Sequence, residues 1–216
     1  MQKTVIIDYG SGNLHSALKA FERVIAEHDL ATSVEVTSDA DAVTSADRIV
    51  LPGVGAFASC HSGLMAVDGM VAALEKSVLE AKRPFLGICV GMQLLASGSE
   101  EFGSTPGLGW LPGTVKKITP RDASFKVPHM GWNVVSGERH AVLPNDGPAH
   151  NHAYFVHSYH MVPDDPAHVL ATTDHGGEIV ATVGRDNILG VQFHPEKSQA
   201  YGMALIRNFL TWEPEV

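Results

Sequence analysis

Along the first half of the chain, short apolar runs alternate with stretches whose apolar residues recur at helical spacing. Thr4–Ile7, Ser33–Val36, Arg48–Leu51 and Pro84–Ile88 read as strands. Between the first two, Asn13 to about Glu27 reads as an amphipathic helix with Leu14, Ala17, Leu18, Phe21 and Ile25 on one face. Ala56–Ala81 reads as helical with an interruption near Asp68-Gly69, and Val90–Ser97 reads as a further helix. This β-α-β-α order predicts an α/β fold: a doubly wound, mostly parallel sheet with helices on both faces.

From Gly98 the texture changes. Gly98–Gly113 and Ser136–Asn151 are polar, loop-like stretches rich in turn residues. Around them lie strand candidates at Thr114–Ile118, Asn133–Val135, Ala153–Val156, Val169–Thr173, Ile179–Val183 and Ile188–Phe193, with a final helix over Gln199–Leu210. These predict an antiparallel extension. Neither half could bury itself alone, so residues 1–216 are expected to form a single domain.

Composition narrows the function classes. A net charge of −9 without a Lys/Arg stripe argues against nucleic-acid binding. No apolar stretch is long enough to cross a bilayer, and Met1–Asp8 reads as the approach to a strand, not as a signal segment. The two cysteines, Cys60 and Cys89, cannot build a disulfide scaffold; a reducing, cytoplasmic setting is expected.

Each thiol then needs its own account. Gly87-Ile88-Cys89-Val90-Gly91 follows an apolar strand and opens a helix, the spacing of a nucleophile elbow. Glycine on both sides lets the turn close, and the first N–H groups of the helix favour the anionic sulfur. The Val90 N–H points toward where an oxyanion would form. Cys60 lies in a helical stretch without such a setting and reads as packing.

A second element is Gln192-Phe193-His194-Pro195-Glu196 at the end of a strand. Residues two apart in extended backbone project to one side, and Pro195 stiffens the pair. Glu196 can hold one imidazole nitrogen of His194 and leave the other for the Cys89 proton, the logic of a triad with a thiol nucleophile. The third element is Leu51-Pro52-Gly53-Val54-Gly55-Ala56-Phe57, whose glycines allow backbone N–H groups close to a ligand. No Gly-Lys-Ser/Thr follows, so it is no phosphate loop.

Together these elements resemble the class I glutamine amidotransferases, a family with a doubly wound α/β domain and a Cys-His-Glu triad. Further segments are similar to one branch of it, the glutaminase subunits of imidazole glycerol phosphate synthases. They are Asp8–Asn13, Pro52–Gly55, Gly87–Gln93, Pro128–Asn133, Tyr154–Tyr159 and Gln192–Ser198. The resemblance implies that Cys89, His194 and Glu196 hydrolyse glutamine to glutamate and ammonia through a glutamyl thioester. It implies an oxyanion hole at Gly53, Val54 and Val90, and glutamine contacts from Gly55, Gln93, Glu101, His157, Ser158 and Tyr159. Asn13, Pro128, Met130, Trp132, Tyr154 and Lys197 would face a (β/α)8 cyclase partner that uses the ammonia in histidine biosynthesis. No cofactor and no metal are implied.

Four other readings compete with this one. Asp8-Tyr9-Gly10-Ser11-Gly12-Asn13-Leu14 suggests dinucleotide binding, but His15 occupies the place of the third glycine. His150, His152, His157 and His160 suggest a metal, without a cysteine or carboxylate at matching spacing. An amidotransferase subunit serving anthranilate, aminodeoxychorismate or pyridoxal phosphate synthesis is a third reading, and a non-catalytic scaffold of the same fold a fourth.

Overall fold

The computed structural model describes residues 1–137, 140–145 and 151–215. The chain opens with β1 (Gln2–Ile7), α1 (Leu14–Glu27), β2 (Thr32–Thr37), α2 (Ala40–Thr44) and β3 (Arg48–Gly53). Next come α3 (Phe57–Ala66) and α4 (Met70–Leu74), with a π-helical continuation over Glu75–Glu80, then β4 (Phe85–Cys89) and α5 (Val90–Gln93). The second half holds β5 (Gly98–Ser99), β6 (Thr105–Pro106), β7 (Gly113–Lys117), β8 (His129–Val134) and β9 (Ser136–Gly137). It continues through β10 (His152–His157), β11 (Tyr159–Pro163), β12 (Val169–Asp174), β13 (Glu178–Arg185), β14 (Ile188–Val191) and α6 (Gln199–Thr211).

Eight strands form the main sheet in the order β2-β1-β3-β4-β14-β13-β12-β9. From β2 to β14 every neighbour is parallel; beyond β14 the pairs are antiparallel, which is the expected extension. Every residue of β3 and β4 is buried, the mark of parallel strands covered on both faces. Helix α1 starts where Asn13 Oδ1 accepts the Ser16 N–H, and it buries Ala17, Ala20, Phe21 and Val24. Leu14, Leu18 and Ile25 pack half-buried at the margin of the same core. The buried guanidinium of Arg48 donates to the Phe209 and Trp212 carbonyls at 3.1 and 2.9 Å, fastening the end of α6 to β3.

Among the described residues there are two smaller sheets, β10 against β8 and the four strands β11-β7-β5-β6. They depart from the sequence expectation, which took Gly98–Gly113 for loop and overlooked the strand over Tyr159–Pro163. The helix expected over Val90–Ser97 is a single turn, Val90–Gln93. The Leu94, Leu95 and Ala96 carbonyls accept instead from the N–H groups of Leu108, Leu111 and Gly109, so a tertiary loop takes the bonds a helix would have used. The break near Asp68-Gly69 is present, with Gly69 at a φ of +68°.

Candidate active site

The site forms where β3, β4 and β14 end side by side, the carboxyl edge at which open α/β sheets bind ligands. Gly53, the last residue of β3, stands opposite Cys89, the last of β4. Cys89 has a φ of +56° and ψ of −112°, a conformation that L residues rarely adopt and that costs about 1–3 kcal/mol. The surroundings enforce it. A β-carbon at Gly91 would lie 1.8 Å from the Leu51 carbonyl oxygen, and one at Gly87 would lie 2.6 Å from that of Gly91. The elbow therefore needs both glycines, and it holds the Cys89 side chain at the end of β4.

His194 follows β14, and its N–H is fixed by the Tyr154 carbonyl at 3.0 Å while Ser198 Oγ donates to its carbonyl at 2.6 Å. Its Nδ1 lies 2.8 Å from Glu196 Oε1, and the ring lines the same cavity as Cys89. Burial works against a charged imidazole, but the Cys89 sulfur and the Glu196 carboxylate together outweigh it and raise the His194 pKa to about 10. The arrangement can shuttle a proton between sulfur and a bound group, with the carboxylate holding the ring.

The loop after β3 is clamped. Tyr9 Oη donates to the Pro52 carbonyl at 2.6 Å. Ser11 Oγ accepts the Val54 N–H at 3.2 Å and donates to the Val54 carbonyl at 2.7 Å. Cys60 Sγ also reaches that carbonyl, at 3.3 Å, so this thiol does more than fill space. Burial pushes the Cys60 thiol up, which keeps it protonated and a donor. Val54 and Val90 flank Cys89, yet the Val54 N–H is engaged by Ser11 and is not offered to an oxyanion.

A cavity of about 390 Å3 opens over Cys89 and His194. Gly55, Gln93, Glu101, His157, Ser158 and Tyr159, all expected to touch the ligand, line it. Glu101 has a second engagement: its Oε2 accepts the Phe57 N–H at 2.7 Å, supplying from a distant loop the cap that α3 lacks locally. The carboxylate thereby ties the ligand pocket to the segment that follows Gly55.

Several participants escaped the sequence reading. His157 Nδ1 donates to the Tyr159 carbonyl at 2.8 Å, so its Nε2 accepts from His129 Nδ1 at 3.0 Å. His129 Nε2 in turn accepts from Asn133 Nδ2 at 3.1 Å. Burial lowers the pKa of His157 to about 3 and that of His129 to about 4, which keeps both rings neutral and makes this chain of donors one-directional. Ser11, Tyr9, His129, Asn133 and Gln192 all lie inside the motif segments; only the tertiary pairing reveals their bonds.

The expected partner residues form a patch next to the pocket. Met130 and Trp132 are exposed on β8. Trp132 packs edge-on against Tyr154 at 5.9 Å, and Lys197 Nζ sits 5.7 Å from the centre of the Tyr154 ring. Pro128 lines the cavity itself. Asn13 is exposed at the start of α1, which packs against the turn containing Lys197.

Among the described residues no group of three His, Cys, Asp or Glu could hold a metal ion, and both ring nitrogens of His157 are taken by protein. His150 lies outside the described residues. No single helix among them is long and apolar enough to cross a membrane.

Comparison with known proteins shows the family. The family described as Glutamine amidotransferase class-I matches residues 5–212. The Imidazole glycerol phosphate synthase subunit HisH of Rhodospirillum rubrum is 55% identical over 214 residues, covering 98% of this chain and 100% of that protein. The protein of the same name from Mesorhizobium japonicum is 54% identical over 216 residues, with 98% and 100% covered. In fold, the chain is similar to a glutamine amidotransferase crystal structure with a TM-score of 0.70 at 18% identity, covering 95% of this chain and 96% of that one. A Thermotoga maritima glutamine amidotransferase gives a TM-score of 0.60 at 16% identity, with 90% and 76% covered. With the family matched almost end to end, the chain belongs to the class I glutamine amidotransferases.

Proposed function

We propose that this chain is the glutaminase subunit of an imidazole glycerol phosphate synthase, acting in the cytoplasm as one domain. Identities of 54–55% over full length to subunits of that name support the assignment. The observation that carries the chemistry is the His194–Glu196 contact of 2.8 Å, with Cys89 on the wall of the same cavity.

In this reading Cys89 attacks the side-chain amide carbon of glutamine, and His194 protonates the departing ammonia. Water, deprotonated by His194, then adds to the glutamyl thioester; the carbon–sulfur bond breaks and glutamate leaves. Glu196 keeps the imidazole in the tautomer and orientation both steps need. Backbone donors at Gly53 and Val90 stabilise the tetrahedral oxyanions, joined by Val54 once its N–H turns away from Ser11 Oγ. Gln93, Glu101 and the segment His157–Tyr159 hold the amino-acid end, with the Glu101 carboxylate suited to the α-ammonium.

Ammonia in neutral water is mostly ammonium and no nucleophile, so a direct route to a second active site makes chemical sense. The Met130/Trp132/Tyr154/Lys197 patch beside Pro128 suits a (β/α)8 cyclase docked over the pocket, which would convert a ribulosyl substrate to imidazole glycerol phosphate and an aminoimidazole carboxamide ribotide. An aromatic pair flanked by an exposed Met is the composition of an interface anchor. Co-purification from cells expressing both chains tests the assembly. Recovery of the cyclase, lost in Trp132→Ala with Met130→Ala, is expected; a chain that never retains a cyclase overturns the partner assignment.

A further inference from the structure

The polar network behind the pocket fixes the direction of a side chain that the triad does not include. Gln192 follows β14 and is fully buried. Gln93 Nε2 donates to the Tyr159 carbonyl at 3.0 Å and to Gln192 Oε1 at 3.0 Å. A backbone carbonyl only accepts, so the Gln93 atom facing it is the nitrogen. The Gln192 atom facing that nitrogen is then its oxygen, and the NH2 group of Gln192 is left directed at Cys89 Sγ, 3.7 Å away. His157 Nδ1 braces the same Tyr159 carbonyl, so this polarity is anchored from two sides.

We propose that Gln192 is a further catalytic residue, an amide that donates an N–H to the Cys89 sulfur and stabilises it as an anion. The proposal rests on Cys89 being the nucleophile. A hydrogen bond from a neutral donor strengthens when its acceptor becomes charged, so it favours thiolate over thiol without neutralising the attacking pair. The same donor serves the second half of the reaction. When water has added to the thioester, the carbon–sulfur bond breaks and sulfur departs with the bonding pair; an N–H already aimed at it eases that departure. His194 changes protonation state within each half, giving its proton to ammonia in the first and taking one from water in the second. Gln192 carries no titrating group and is the same at each stage.

The test is the rate at which iodoacetamide alkylates Cys89 in the intact chain, read by mass on the Cys89 peptide so that Cys60 does not contribute. Gln192→Met keeps the volume and removes the donor; at pH 7 alkylation should slow about tenfold, the usual worth of a hydrogen bond to a charged group, and the gap to wild type should close as the pH is raised toward 10. Gln192→Glu is the isosteric second arm. Its carboxylate can still accept from Gln93 but presents negative charge to the sulfur, so alkylation at pH 7 should slow further. Circular dichroism and thermal unfolding establish that each variant is folded, and either folded variant suffices. Wild-type alkylation at pH 7 overturns the proposal, and so does a slowing that persists undiminished at pH 10, which would mean lost access and not lost anion stabilisation. If Cys89 is not the nucleophile, Cys89→Ala retains glutamine hydrolysis, a result independent of the Gln192 variants.

Discussion

The Val54 N–H donates to Ser11 Oγ across 3.2 Å, and the same hydroxyl holds the Val54 carbonyl at 2.7 Å. One side chain thus fastens both ends of the residue expected to complete the oxyanion hole. Gly55, at a φ of +98° with open space where a β-carbon would stand, leaves the neighbouring peptide free to turn. The isolated chain should therefore be a poor glutaminase that the cyclase and its ribulosyl ligand switch on. Gaining one oxyanion donor is worth roughly 10²–10³-fold in rate. Ser11→Ala should raise the basal rate of the lone subunit by about 3- to 10-fold, the worth of one ordinary hydrogen bond. Steady-state glutamine hydrolysis measures both; full activity from the lone wild-type chain, unchanged by partner or ligand, would refute the switch.

The two members of the His194–Glu196 pair should differ in consequence. His194→Ala removes both the acid and the base and should lower turnover in the assembled complex by about 10²–10⁴-fold. Glu196→Gln mainly disturbs orientation and tautomer and should do less. A Glu196→Gln variant slower than His194→Ala would show the roles to be misassigned.

The neutral histidine chain makes stability depend on pH. His157 and His129 titrate at about 3 and about 4 in the folded protein, below their ordinary 6.5, chiefly through burial and partly through the neighbouring His175 and His160. Between those values the unfolded chain binds more protons, so stabilisation present above pH 6.5 is lost as the pH falls through this window. The slope is at most about 1.4 kcal/mol per pH unit for each ring. Urea unfolding at pH 7 and pH 5 should show a larger loss for the wild type than for His129→Asn combined with His157→Gln. Equal losses would contradict the assignment of these rings as neutral.

The proposed hydrolysis draws on a thiol, an imidazole, a carboxylate and amide donors, so activity should survive exhaustive chelation. Loss in chelator, restored by zinc, would instead give His152, His160 and their neighbours a metal to bind.

Much of this was legible in the chain because its signals are local. The continuous apolar runs of β1, β3 and β4 are visible without their partners, and Gly-Ile-Cys-Val-Gly or His-Pro-Glu compresses geometry into a few residues. Where the bonds are long-range, local reading failed. Helix α5 stops at Gln93 because carbonyls 94–96 are claimed by residues 108–111, and nothing between Val90 and Ser97 announces that. Strand β11 was missed because its partner is the distant β7 and its last residue, Pro163, reads as a breaker. Cys60 read as packing, since its contacts to Ser11 and Val54 exist only once α3 lies beside the loop after β3. The second role of Glu101 is hidden for the same reason: the Phe57 N–H comes within 2.7 Å of its carboxylate only in the folded chain.

The central claim is that Cys89 carries the covalent chemistry, and glutamate release from glutamine by the Cys89→Ala chain tests it most directly. The chain should be assembled with the cyclase and its ribulosyl ligand, and its fold checked against wild type by circular dichroism. Hydrolysis no faster than the protein-free background is the result this account predicts. Turnover near the wild-type rate from a folded Cys89→Ala complex would contradict it.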